Sequence, residues 1–166
     1  MNKITVLGIG NILLGDEGFG VRVIQELQRA YHFPQHVQIL DGGTLGLELV
    51  GSLYGTDKLL VVDAVLGQKA PGSIYEFDNN TVKAYFKNKV SLHELGIQDV
   101  LAALEILDKP VKEVIVFGVQ PAYIELNLEL SPCISEQVSS IINRIISTLR
   151  FWNVEVYPLN NWQECT

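Results

Sequence analysis

Cysteine is scarce in this sequence, and positive charge is in deficit. Among 166 residues only Cys133 and Cys165 carry thiols, and they form neither a C-x-x-C pair nor a zinc-ligand spacing. A disulfide framework and a structural zinc module are excluded on that count. Two free thiols fit a reducing, cytoplasmic setting. Twelve Lys and Arg stand against 19 Asp and Glu, a net charge of −7. That balance argues against nucleic acid and anionic membrane surfaces as partners. Histidine number is low as well, three in all, so the metal-storing tracts of a carrier protein are missing.

Long apolar runs are also missing. The longest candidate for a membrane span, residues 138–152, contains Arg144 and Arg150. The apolar stretch after Lys3 is interrupted by Gly8, Gly10 and Asn11 and runs into Asp16-Glu17, with no small-x-small cleavage site. It reads as a buried first strand rather than a signal peptide. Several catalytic motifs fail too. Gly8-x-Gly10 is followed by Leu13 where a dinucleotide fingerprint needs its third glycine, and no Walker lysine follows Gly15. No G-x-S-x-G elbow is present for a serine nucleophile, and neither cysteine has a histidine close in sequence.

What is present is a regular alternation of elements. The length favours a single domain over residues 1–166, and a domain of this size buries about 70% of its unfolded surface. The hydrophobic content of 48% is ample for that core. Strands are predicted at 3–7, 37–40, 58–62, 73–77 and 114–119. Helices are predicted at about 18–31, 45–54, 81–86, 91–107 and 131–150. The tail beyond Val154 predicts one more short strand. Ser91-Leu-His-Glu94 has the form of a capping box, and Ser131-Pro132 that of an N-cap with proline at the first helical position. The pattern implies an α/β fold of three layers, with a mostly parallel twisted sheet of about five strands and helices on both faces. The fourth strand follows the third after a short, helix-free turn, too short for a parallel crossover, so it is expected to run antiparallel.

The chemistry concentrates in the first strand-to-helix turn, Gly8-Ile-Gly-Asn-Ile-Leu-Leu-Gly-Asp-Glu-Gly-Phe-Gly20. Glycine-rich turns of this kind ordinarily cradle phosphate. Asp16 and Glu17 at its centre repel an anion and suit a cation. In open α/β sheets, sites form beyond the carboxyl ends of the strands. Asp16 and Glu17, Asp41 after the second strand, Asp63 after the third and His93 at a helix start all converge on that edge. Carboxylates and an imidazole make a mixed oxygen–nitrogen set for a divalent transition metal, with coordination left open for water or substrate. Each residue also has a plainer reading. Asp41 and Asp63 serve as turn caps, the more so for Asp41 beside Gly42-Gly43. His93 is then an ordinary helix-start residue, and Asp16 and Glu17 are first-turn acids that favour the helix dipole. His32 and His36, flanking Pro34, read as surface residues.

These blocks, in this order, resemble the family of nickel–iron hydrogenase maturation endopeptidases. The matching residues are Gly8 to Arg22, then Leu40-Asp-Gly-Gly-Thr44, Val61-Val-Asp-Ala64, Ser91-Leu-His-Glu-Leu-Gly96 with Asp99-Val-Leu101, and Phe117-Gly-Val-Gln-Pro121. The region after Pro121 matches only loosely. The resemblance implies a phosphorylase/hydrolase-like sheet of five or so strands and a metal site of Glu17, Asp63 and His93. It places Asp41 near the substrate with no role fixed. It further implies removal of a C-terminal extension from a hydrogenase large-subunit precursor, with nickel arriving on that substrate and other divalent ions able to stand in for it. The general base stays open between Asp41 and Asp16. The partner expected is the precursor, with no nucleic acid and no membrane, and the protein is expected to be monomeric. Two alternatives stand beside this reading: a metallohydrolase or aminopeptidase with its own resident metal, and a non-enzymatic nickel-handling maturation factor.

Overall fold

Runs of β-branched and leucine residues bounded by turn residues become the strands of the sheet. The computed structural model describes residues 1–88 and 96–159. Five strands form the main sheet: β1 (Ile4–Ile9), β3 (Val37–Gly43), β4 (Lys58–Ala64), β5 (Ile74–Phe77) and β6 (Glu113–Val119). A short pair, β2 (Tyr31–His32) and β7 (Tyr157–Pro158), forms a second, antiparallel sheet. The order across the main sheet is β3-β1-β4-β6-β5. Its first four strands are parallel, and β5 runs antiparallel to β6. The short turn after β4 has the consequence expected of it. The five strands lie within a few residues of their predicted bounds, and the tail strand is present.

The sheet carries helices on both faces. On one face, α1 (Phe19–Ala30), α5 (Pro132–Ser135) and α6 (Gln137–Phe151) cover Val6, Leu60, Val62 and Phe117. On the other, α2 (Leu49–Leu53), α3 (Val82–Asn88) and α4 (Ile97–Ile106) cover Leu7, Leu59, Val61 and Val116. Strand alternation accounts for the division, because successive side chains leave opposite faces. β1 and β4 are buried on both faces, which explains their near-continuous apolar sequences. Among the described residues no helix is long and apolar enough to cross a membrane.

Two helix starts differ from expectation. A single helix from Ser91 to Leu107 is excluded by Gly96, which is extended (φ −86°, ψ 176°). α4 begins after it, and the Asp99 carboxylate accepts the Gly96 N–H at 3.0 Å. Ser91 and Glu94 lie outside the described residues, so the expected capping box there has no structural counterpart to compare. Ser131 does precede a helix with proline at its first position, but its side chain makes no cap hydrogen bond. That hydroxyl is used elsewhere, and the helix is divided in two at Glu136.

Candidate active site

The connections define where a site belongs. From β1 the chain crosses through α1 to β3 on one side. From β4 it continues to β5 and then β6 on the other. The strand order therefore reverses between β1 and β4, and a crevice opens beyond their carboxyl ends. β1 ends at Ile9 and leads into a single 3-10 turn, Gly15–Gly18, which carries Asp16 and Glu17. β4 ends in Asp63-Ala64. The turn packs against β4, so Asp16 and Glu17 lie at the same end of the sheet as Asp63.

Two glycines make this approach possible. A Cβ on Gly20 would meet the Val62 carbonyl oxygen at 2.2 Å and that of Ile9 at 2.5 Å. Only glycine lets α1 start directly over β1 and β4. Gly10 has φ +144°, and a Cβ there would meet the Glu17 carbonyl oxygen at 1.9 Å. The glycines that elsewhere cradle phosphate here bring an acidic turn down onto the sheet.

Asp63 is 2% exposed. Its Oδ2 accepts the Tyr85 hydroxyl at 2.8 Å, from α3. Tyr85 is itself fully buried. Burial, with the neighbouring Asp63 charge and this hydrogen bond, pushes the Tyr85 hydroxyl well above the usual phenol value. The phenol therefore remains a proton donor to the carboxylate. Asp63 thus has a side-chain partner from another element.

Asp16 and Glu17, adjacent in sequence, differ in surroundings. Asp16 is 1% exposed, while Glu17 is half-buried. The Asp16 Oδ2 accepts the backbone N–H groups of Ala122 (2.9 Å) and Tyr123 (3.0 Å) and the Ser131 hydroxyl (2.8 Å). Its Oδ1 accepts the Ser131 N–H at 2.7 Å. Burial raises the Asp16 pKa, but the hydrogen bonds from Tyr123, Ser131 and Ala122 outweigh it and hold the carboxyl below the ordinary value. A carboxylate so engaged is a weak base.

Asp41 is exposed, and its Oδ1 accepts the Gly43 N–H at 2.9 Å, the local turn that Gly42-Gly43 suggested. It pairs in register with Gly8, which pairs in turn with Val62. Asp41 therefore shares the α1 face of the sheet, whereas Asp63 leaves the opposite face beside Tyr85. Their backbones stand about 10 Å apart, two strand spacings. His93 lies outside the described residues. Among the described residues no group of three His, Cys, Asp or Glu forms a metal cluster.

Two contributors were not singled out by the sequence, although Gln120 lies within the matching block from Phe117 to Pro121. Tyr85 reads as one more aromatic in a short helix. Gln120, at the end of β6, accepts the Tyr75 hydroxyl and the Gly67 N–H, both at 2.8 Å. It thereby ties the loop that follows Asp63 to the neighbouring strand.

Comparison with known proteins agrees with this geometry. Residues 21–148 match the family model of the hydrogenase maturation proteases. The chain belongs to that family. The hydrogenase 2 maturation protease of Escherichia coli K12 is 40% identical over 157 residues, covering 94% of this chain and 96% of its own. A hydrogenase expression/formation protein, HupD, of Bradyrhizobium diazoefficiens is 40% identical over 161 residues, covering 93% and 82%. The solved structure of the hydrogenase maturating endopeptidase HybD from E. coli superposes with a TM-score of 0.90 at 38% identity, over 97% of this chain and 99% of that one. A [NiFe] hydrogenase maturation protease from Thermococcus kodakarensis gives a TM-score of 0.75 at 25% identity, over 89% and 99%. This hydrogenase maturation protease is thus an endopeptidase, a hydrolase acting on peptide bonds. The non-enzymatic alternative is displaced.

Proposed function

We propose that this protease removes the C-terminal extension of a hydrogenase large-subunit precursor, and that Glu17, Asp63 and His93 engage nickel carried by that substrate. The observation that carries the reading is Asp63. A carboxylate 2% exposed at the end of a central strand is costly to bury. Here it sits at the reversal of strand order, beside a turn that supplies a second carboxylate. Nickel would draw the scissile amide to this edge and polarise its carbonyl or a bound water. Acidic residues at the edge favour a cationic centre over phosphate. The surroundings of Asp16 favour a structural role and leave Asp41 as the candidate base, acting across the rim of the sheet.

The test is incubation with nickel-loaded and nickel-free precursor, followed by the intact mass of the large subunit. The wild-type protein is expected to shorten only the loaded precursor. Glu17→Gln and Asp63→Asn variants are expected to trim at least about a hundredfold more slowly. Trimming of both precursor forms at equal rates, or full activity in Glu17→Gln, would refute the coordination role. Elemental analysis of the purified protein separates this reading from a resident metal, which would appear at one ion per chain.

A further inference from the structure

The stretch between β6 and α5 is held rigidly yet turns its apolar side chains outward. The Asp16 carboxylate binds both of its ends, through Ala122 and Tyr123 at one and Ser131 at the other. Its middle is joined to the turn after β1: the Asn127 N–H donates to the Leu13 carbonyl at 3.0 Å, and the Gly15 N–H to the Asn127 carbonyl at 2.7 Å. Arg22 donates to the Leu128 carbonyl at 2.7 Å. Within this ordered backbone, Tyr123, Ile124, Leu126 and Leu128 are 40–85% exposed, and Leu13 from the adjoining turn is 52% exposed. Glu125 and Glu129, also exposed, interleave with them. Exposed apolar side chains gathered on one hydrogen-bonded loop mark a protein contact, because burying them requires little further ordering.

We propose that residues 123–129 and Leu13 form the docking surface for the precursor, taking a segment of it that presents apolar side chains together with basic ones. This rests on the proposed substrate and extends it to a second point of contact. Two observations favour that occupant. The loop adjoins the turn that carries Glu17, since the preceding residue, Asp16, anchors it. Its interleaved carboxylates, on a chain of net charge −7, complement a basic segment. A second copy of this acidic chain would instead set like charges against each other across a symmetric contact.

The experiment is a binding measurement, so that it reads docking whether or not cleavage follows. Immobilised full-length protein is titrated with nickel-loaded precursor. Leu126→Ser combined with Leu128→Ser keeps the charge constant and is expected to weaken binding about tenfold or more. Glu125→Lys combined with Glu129→Lys is expected to weaken it and to flatten its salt dependence. Unchanged thermal midpoints verify that both variants fold. Wild-type affinity in the leucine pair overturns the proposal, as does absence of wild-type binding. Sedimentation that shows a wild-type dimer, dissociated by the leucine pair, also overturns it by assigning the surface to a second copy. If the wild-type protein binds precursor and the leucine pair does not, yet nothing is trimmed, docking stands and the proposed reaction fails.

Discussion

Neighbouring carboxylates in one turn have been given different environments. Asp16 points its acceptors at a distant loop, and replacing it with Asn leaves several donors competing for fewer acceptors. Asp16→Asn is expected to destabilise the fold by about 2–4 kcal/mol, measured by denaturant unfolding at neutral pH. The effect of pH follows from the depressed pKa of the carboxyl. Its contribution is complete above the ordinary carboxylate range and is lost as pH falls through the lower, folded value. Protection factors against hydrogen exchange in residues 122–131, corrected for the intrinsic pH dependence of exchange, should therefore fall on acidification in the wild-type protein and depend little on pH in Asp16→Asn. Tyr85→Phe tests the other buried carboxylate. It removes the sole hydroxyl from α3 that meets Asp63, and outer-shell changes of this kind weaken metal binding or activity 10- to 100-fold. On the proposed engagement of nickel by Asp63, calorimetric titration with nickel should show that loss in Tyr85→Phe with the fold retained. Equal affinities would mean that the phenol only fills space. Neither role was legible in the sequence. Asp16 meets partners 106 to 115 residues away, and Tyr85 lies 22 residues from Asp63. Only the tertiary fold brings them together.

Elements were more legible than contacts, for a physical reason. A strand buried on both faces has to be apolar throughout, and a surface helix has to repeat its apolar residues every three or four positions. Both constraints are written locally. The Ser131 hydroxyl was misread because a capping residue offers more than one partner, and its partner here, Asp16, comes from elsewhere in the chain; α4 instead starts after Gly96, whose N–H finds a local acceptor in Asp99. The sequence singled out the glycine-rich turn as a candidate site and gave no sign that it is a packing device. Gly20 shows the latter role: a methyl group there runs into the carbonyls of Val62 and Ile9. Gly20→Ala is expected to cost about 3 kcal/mol or more, through displacement of α1 from the sheet. Thermal unfolding measures that cost. Trimming activity should fall in the same variant, because the displaced helix start moves Glu17 away from Asp63.

At the scale of the molecule, the last described strand is tied back to the segment that follows α1. β7 pairs with β2 just after α1, and Val154 and Val156 bury their side chains in the core beneath α1 and α6. Replacing both with Ala should cost about 2 kcal/mol each, checked by the denaturation midpoint, although neither residue lies near the candidate site. The general three-layer plan could be read from the sequence because it follows from alternation of elements. The position of Asp41 and Asp63 on opposite faces could not, since it depends on register.

The anchored loop after β6 has a consequence for how such a protease changes client. Its feet are clamped from below by Asp16 and its middle is held through backbone atoms, so the exposed side chains of Tyr123, Ile124, Leu126 and Leu128 are released from the task of holding the fold together. They are a cassette whose lettering can be rewritten while hydrolysis stays as it is. Exchanging that cassette between relatives, with Asp16 and Ser131 untouched, should carry over the choice of hydrogenase.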